Sequence, residues 1–236
     1  MGEQTDINQK MREILIDWII EVHMKFGLMP VVLYMTTQII DRFLSKKQVS
    51  RSKLQLVGIT AMFIASKFEE IYPPEVKDFV YISDKAYTGD EIIKMERAIL
   101  NALKFEIVFP TVHSFGKRFA KAAHLEERIE NIAFYLIDAT LQDYDMLQYK
   151  PSIVAAAGIN LAERLSTRVS VSSPVWSEAV AEYIGYADCD LEACMRDMHA
   201  LISKAGEPDS NLKAVTKKYS NEKFGEVAQT LTIGSI

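Results

Sequence analysis

Four histidines, two cysteines and the adjacent glutamates Glu69 and Glu70 are residues in this chain whose types suit catalysis or metal binding. His23, His113, His124 and His199 are scattered, and Cys189 and Cys194 lack zinc or redox spacing. Glu69 and Glu70 are neighbours on a helical run, about 100° apart, so they do not converge as an acid–base dyad would. No Gly-rich phosphate loop or nucleophile elbow is present. The expectation is therefore a protein that is not an enzyme and has no metal or cofactor. The informative groups are charges set among apolar residues. Lys67 stands near the end of "QLVGITAMFIASKF" (55–68), flanked around the wheel by Phe63 and Ile71. Glu96 lies in the middle of an apolar arc made by Ile92, Ile93, Ile99, Leu100 and Leu103. An isolated buried charge costs several kcal/mol, so each must find a partner or reach a rim. Two readings stand: Lys67 and Glu96 pair inside a bundle, or both emerge at a rim and meet another protein.

The elements that must position these groups are helical. Apolar spacing of three and four recurs in 9–26, 31–45, 52–70, 90–104, 112–123, 126–141, 151–165, 175–184 and 189–204. Gly27, Pro30, Pro73-Pro74, Pro110, Pro151 and Pro174 punctuate the runs. Thr88-Gly-Asp-Glu91 is a capping box that opens the helix carrying Ile92 to Leu103. No run alternates as a strand would, so the fold class is all-α. The first helix, "MREILIDWIIEVHMKF" (11–26), is apolar over roughly 240°, far more than the stripe of about 100° that a surface helix needs. Arg12 falls near the middle of that arc.

An internal repeat organises the helices. "QLVGITAMFIASKF" lies on "SIVAAAGINLAERL" (152–165) with an offset of 97 residues. Small residues match at Gly58/Ala155, Ala61/Gly158 and Ala65/Ala162, a stripe along which another helix can approach closely. Two such buried central helices imply two similar bundles divided near "FEIVFPTV" (105–112). At this offset Lys67 maps to Arg164 and Glu96 to Ala193, with Glu192 one residue away, so the pair is not duplicated. A special role belongs to the first bundle.

Composition bounds the rest. A chain of 236 residues with 49% hydrophobic and 25% charged content suits one or two globular domains. A net charge of −5 argues against a nucleic-acid surface. No apolar run reaches the roughly 18 residues of a membrane span. Free thiols suit a reducing compartment, so a soluble intracellular protein is expected.

"MREILIDWIIEVHMKF", "YMTTQIIDRFL", "SRSKLQLVGITAMFIASKFEEIYPPEV" and "DYDMLQYKPS" resemble the cyclin family, most closely a mitotic B-type cyclin. The likeness runs from about residue 10 to "KYSNEKF" (218–224) and is looser in the second half, where "RLSTRVSVSSPVWSEA" (164–179) is atypical. It implies two tandem five-helix cyclin boxes, at 1–108 and 109–205, with a tail at 206–236. It implies no catalysis of its own and activation of a cyclin-dependent protein kinase. The free chain would be a monomer that forms a heterodimer with that kinase, in nucleus and cytoplasm. By the family pattern, Lys67 and Glu96 lie at the kinase interface with Phe68, Glu69 and Phe105 nearby. Met11, Ile14, Trp18 and Glu21, which share a sector of about 80°, correspond to an exposed docking patch completed by Leu54 and Gln55. Substrates and inhibitors with Arg-x-Leu motifs dock there: leucine takes the apolar groove and the cation takes Glu21. The other sector, with Leu15, Ile16, Ile19 and Ile20, faces the bundle, and Arg12 pairs with Asp41 inside it. A purely structural reading would put all of these residues in the core.

The rival from another class is a two-box transcription-initiation factor, which would need a basic face to offset DNA phosphates. The net charge and "MREILIDW" speak against it. "SKFEEIYPPE" disfavours a cyclin acting mainly in transcription. A mitotic cyclin's destruction signal lies upstream of the box, so the chain is expected to be a trimmed piece.

Overall fold

A computed structural model of the chain describes residues 4–167, 175–205 and 212–231. Among them every regular element is helical. The chain forms two compact units, Met1–Phe109 and Pro110–Ile236.

The first unit holds α1 (Gln9–Phe26), α2 (Pro30–Leu44), α3 (Arg51–Glu69), α4 (Val76–Ile82) and α5 (Gly89–Ala102). Local chemistry sets their ends. Asn8 Oδ1 accepts from Met11 N at 2.9 Å to start α1, and Gly27 stops it at φ 64°, a left-handed turn that favours glycine. Pro30 opens α2, where its missing N–H costs nothing. Thr88 and Glu91 form the expected reciprocal box on α5. The backbone and hydroxyl hydrogen bonds from Thr88 also lower the Glu91 pKa. All four other helices contact α3, whose residues from Leu56 to Ser66 are buried without a break. Gly58 permits this: a Cβ there would meet Leu15 Cδ1 at 2.8 Å and Ile19 Cδ1 at 3.3 Å.

The second unit holds α6 (Val112–Ala122), α7 (Glu127–Gln142), α8 (Pro151–Thr167), α9 (Glu178–Ile184) and α10 (Asp188–Ala205). Here α8 is the centre, contacted by α6, α7 and α10. Gly158 brings α7 close, since a Cβ would meet Ile137 Cγ1 at 2.6 Å. The small-residue stripe thus works in both central helices, though its glycine faces α1 in one unit and α7 in the other. Beyond α10 come α11 (Ala214–Tyr219) and α12 (Val227–Thr230), both packed on α7. Tyr219 stacks between Tyr135, at 5.5 Å, and Phe224, at 4.8 Å. The described part of 206–236 is therefore packed structure within the second unit.

Candidate functional site

Lys67 sits in the last turn of α3, its ammonium 4.1 Å from the centroid of the Phe63 ring. It donates to Glu96 Oε1 on α5. The pair is at the surface: the Lys67 side chain is 40% exposed and that of Glu96 14%. Around the end of α3, Phe68 is 51% exposed, Ile71 86% and Tyr72 92%, while Glu69 is half-buried. Past α5, Lys104 and Phe105 take left-handed backbone conformations (φ 53° and 58°), which cost L residues about 1–2 kcal/mol each. This turn leaves Phe105 66% exposed. Lys67 and Glu96 pair with each other, and they do so at the surface and not inside the bundle. Among the described residues, every large exposed hydrophobic except Leu147 and Tyr183 belongs to the first unit. Large exposed apolar side chains gathered in one region are candidates for an interaction surface.

α1 divides into two faces. Arg12, Leu15, Ile16, Ile19, Ile20, Val22 and His23 are buried. Ile14 is 52% exposed, Glu21 is exposed, and Met11 and Trp18 are half-buried. Arg12 lies at the centre of the buried arc and is 1% exposed. It grips Asp41 of α2 with two bonds, Nε to Oδ1 at 2.6 Å and Nη2 to Oδ2 at 2.8 Å. Gln55 is half-buried, but Leu54, expected on the exposed face, is 5% exposed. The reason is register: Leu54 is one turn before Gly58, on the side of α3 that receives Leu15 and Ile19. The exposed stripe of α1 is thus carried by its own residues, and Leu54 is buried.

The matches to known families decide which kind of protein this is. The model of the cyclin N-terminal domain matches residues 1–108, and that of the cyclin C-terminal domain matches residues 110–232. The chain belongs to the cyclin family. Cyclin-B2-1 of Oryza sativa subsp. japonica is 45% identical over 98% of this chain and 53% of its own length. Cyclin-B1-3 of Arabidopsis thaliana is 42% identical over 97% and 54%. This cyclin therefore spans about half the length of the curated relatives it matches. Among solved structures, a viral cyclin from herpesvirus saimiri superposes with a TM-score of 0.75 at 23% identity, over 86% of this chain and 89% of its own. A chain of the yeast RNA polymerase II CTD kinase CTDK-1 complex gives 0.69 at 12% identity, over 94% and 79%. These two likenesses carry the fold: two tandem helical boxes.

The second box of this cyclin is held by polar groups whose partners no sequence spacing singled out. Arg164, the counterpart of Lys67, is 2% exposed and points inward. Its Nε donates to Asn160 Oδ1 at 2.7 Å and its Nη2 to Asp188 Oδ2 at 2.9 Å, while Asn160 Nδ2 donates to Asp188 Oδ1 at 2.7 Å. Glu192 meets Arg196 instead, at 3.5 Å. Asp138, 1% exposed, accepts from Lys218 Nζ at 2.7 Å and from Tyr219 OH at 2.9 Å. In the atypical 164–179 stretch, Trp176 Nε1 donates to Glu163 Oε2 at 2.5 Å; residues 168–174 lie outside the described part.

The groups suited to chemistry stay apart. Among the described residues no three His, Cys, Asp or Glu side chains come together as a metal set, and no helix is long and apolar enough to cross a membrane. Burial lowers the His113 pKa to about 4, which makes the ring neutral near pH 7. Burial pushes the Cys194 thiol up to about 12, far from a thiolate nucleophile.

Proposed function

We propose that this cyclin is the regulatory subunit of a cyclin-dependent serine/threonine protein kinase, acting in mitotic control, and that it recruits substrates through the exposed stripe of α1. The observation that carries the reading is the Lys67–Glu96 pair, at a surface where Phe68, Ile71, Tyr72 and Phe105 face solvent. Exposed apolar side chains and a surface charge pair on one unit suit an interface: the aromatics supply area, and the charges fix register. The first box would hold the kinase's regulatory helix inward, so that the kinase's own Lys–Glu ion pair forms over ATP. Binding energy then selects the active kinase conformation, and the cyclin supplies no reacting group. The B-type names of its relatives support the mitotic role.

The stripe of Met11, Ile14, Trp18 and Glu21 is offered as the dock for Arg-x-Leu segments. Ile14 and the edge of Trp18 take the leucine, over a floor that includes Leu54, and exposed Glu21 takes the arginine. The cyclin is a monomer when free and a heterodimer with its kinase, in nucleus and cytoplasm. Mixing the purified chain with a purified cyclin-dependent kinase tests the reading. The kinase's rate on a peptide should rise by orders of magnitude, and the chain alone should turn over no ATP. A salt-dependent shift of DNA without kinase binding would favour a transcription-initiation factor instead.

A further inference from the structure

The connection between α2 and α3 carries a serine placed to accept a phosphoryl group. In Lys46-Lys47-Gln48-Val49-Ser50-Arg51-Ser52-Lys53, four cations fall close together, and no acidic residue occurs between Asp41 and Glu69. Ser50 is exposed and its backbone is extended (φ −73°, ψ 150°). It precedes α3, yet its hydroxyl makes no capping bond and lies 3.0 Å from Ser52 Oγ over the first turn. Ser52 is already helical, so an enzyme that reads an extended strand would have to unwind α3 to reach it.

That first turn already holds an anion. Asp6 Oδ2 accepts from Arg51 N at 2.8 Å, and Oδ1 accepts from Arg51 Nε at 2.7 Å. Gln4 ties down the same connection: its amide nitrogen donates to Leu44 O at 2.7 Å and Lys47 O at 2.6 Å, and its Oε1 accepts from Val49 N at 3.0 Å. Residues 4–6 are thus a clamp across the segment that bears Ser50.

We propose that Ser50 is a phosphorylation site for a basophilic protein kinase, distinct from the proposed partner, and that the phosphate displaces Asp6 and opens this clamp. Lys46 and Lys47, four and three residues before Ser50, are exposed and complement an acidic substrate groove. Ser50 Oγ attacks the γ-phosphorus of ATP; the new O–P bond forms as the bond to the bridging β–γ oxygen breaks. ADP leaves, and the hydroxyl proton passes to the modifying kinase's base. The product carries close to two negative charges and three acceptor oxygens beside Arg51. Phosphate binds a guanidinium more strongly than one carboxylate does, and the two anions repel, so Asp6 is expelled. The clamp leads directly into Asn8, which caps α1, so its release loosens the entry to the helix that bears Met11 and Ile14.

The test uses the full chain, ATP and the catalytic subunit of cAMP-dependent protein kinase as a basophilic probe. Mass spectrometry should find one phosphoryl group, on Ser50, absent in Ser50→Ala and retained in Ser52→Ala. Lys46→Glu with Lys47→Glu should slow incorporation about tenfold or more. On phosphorylation, amide exchange in residues 4–8 should accelerate about tenfold or more, to the rate of unphosphorylated Asp6→Asn. Incorporation at Ser52, none into the folded chain, or full modification of Ser50 with unchanged exchange in residues 4–8 would overturn the proposal.

Discussion

Lys218 and Asp138, separated by 80 residues of chain, form an ion pair that is 8% and 1% exposed. Asp138 stands 97 residues after Asp41, with "LIDATL" on α7 matching "IIDRFL" on α2. Each unit therefore keeps a carboxylate on the helix beside its central one. In the first unit Arg12 of α1 neutralises it; in the second Lys218 of α11 does, helped by Tyr219. Removing one partner of a buried pair leaves the other uncompensated, which costs roughly 3–5 kcal/mol. Asp138→Ala should destabilise the second unit by that amount in urea melts, and so should Lys218→Ala.

The same logic applies to Arg12 and Asp41. Either single substitution to Ala should cost roughly 3–5 kcal/mol, and the double variant little more than either, because the pair is bidentate and buried. A double-mutant cycle by denaturant melts reads the coupling directly. Additive losses below about 1 kcal/mol would mean that Arg12 is solvated.

His113 makes the second unit sensitive to mild acid. Burial holds its pKa at about 4, below the 6.5 of an exposed imidazole. Between those values the unfolded chain binds a proton that the folded chain does not. Stability from this group is complete above pH 6.5, declines as pH falls towards 4, and is flat below that, a loss of up to about 3 kcal/mol. Other carboxylates add their own acid dependence, so the measure is a difference: His113→Phe should remove this part of the slope between pH 6.5 and 4.

Much of this molecule was legible from spacing because its long helices are strongly periodic. The α1 arc put Arg12 in its middle, and burial centres there. Some short elements were not legible. α4 has seven residues with only Phe79 buried, and α11 has six, fixed partly by a lysine, so neither offers an apolar repeat. Leu54 is buried where the family pattern implied an exposed patch, because its register on α3 sets it one turn before Gly58. Arg164 showed the opposite limit. The repeat aligned it with Lys67, but a long cation can turn towards solvent or towards a neighbour. The side chain that decided was Asp188, 24 residues away.

Docking and activation should separate. Trp18→Ala removes a half-buried aromatic anchor on α1 while leaving the Lys67–Glu96 surface in place. Loss of such an anchor costs about 2 kcal/mol or more, on the order of thirtyfold in affinity. KM should rise for substrates with an Arg-x-Leu segment and stay constant for short peptides without one. Glu21→Lys should act alike, through repulsion of the arginine. The melting temperature of each variant controls for loss of fold, and an equal loss on both substrate types would show that the stripe is no separate dock.

The most direct test is the affinity of Glu96→Ala for a purified cyclin-dependent kinase, measured by calorimetry beside a urea melt of the same preparation. The Lys67 partner is 40% exposed, so the pair should add less than about 1 kcal/mol to folding. At the core of an interface its loss should weaken binding by more than about 1.5 kcal/mol, or roughly tenfold or more. The account predicts near-normal stability with weakened kinase binding. A large loss of stability with unchanged affinity of the folded fraction would contradict it, and would make Lys67 and Glu96 an internal brace between α3 and α5.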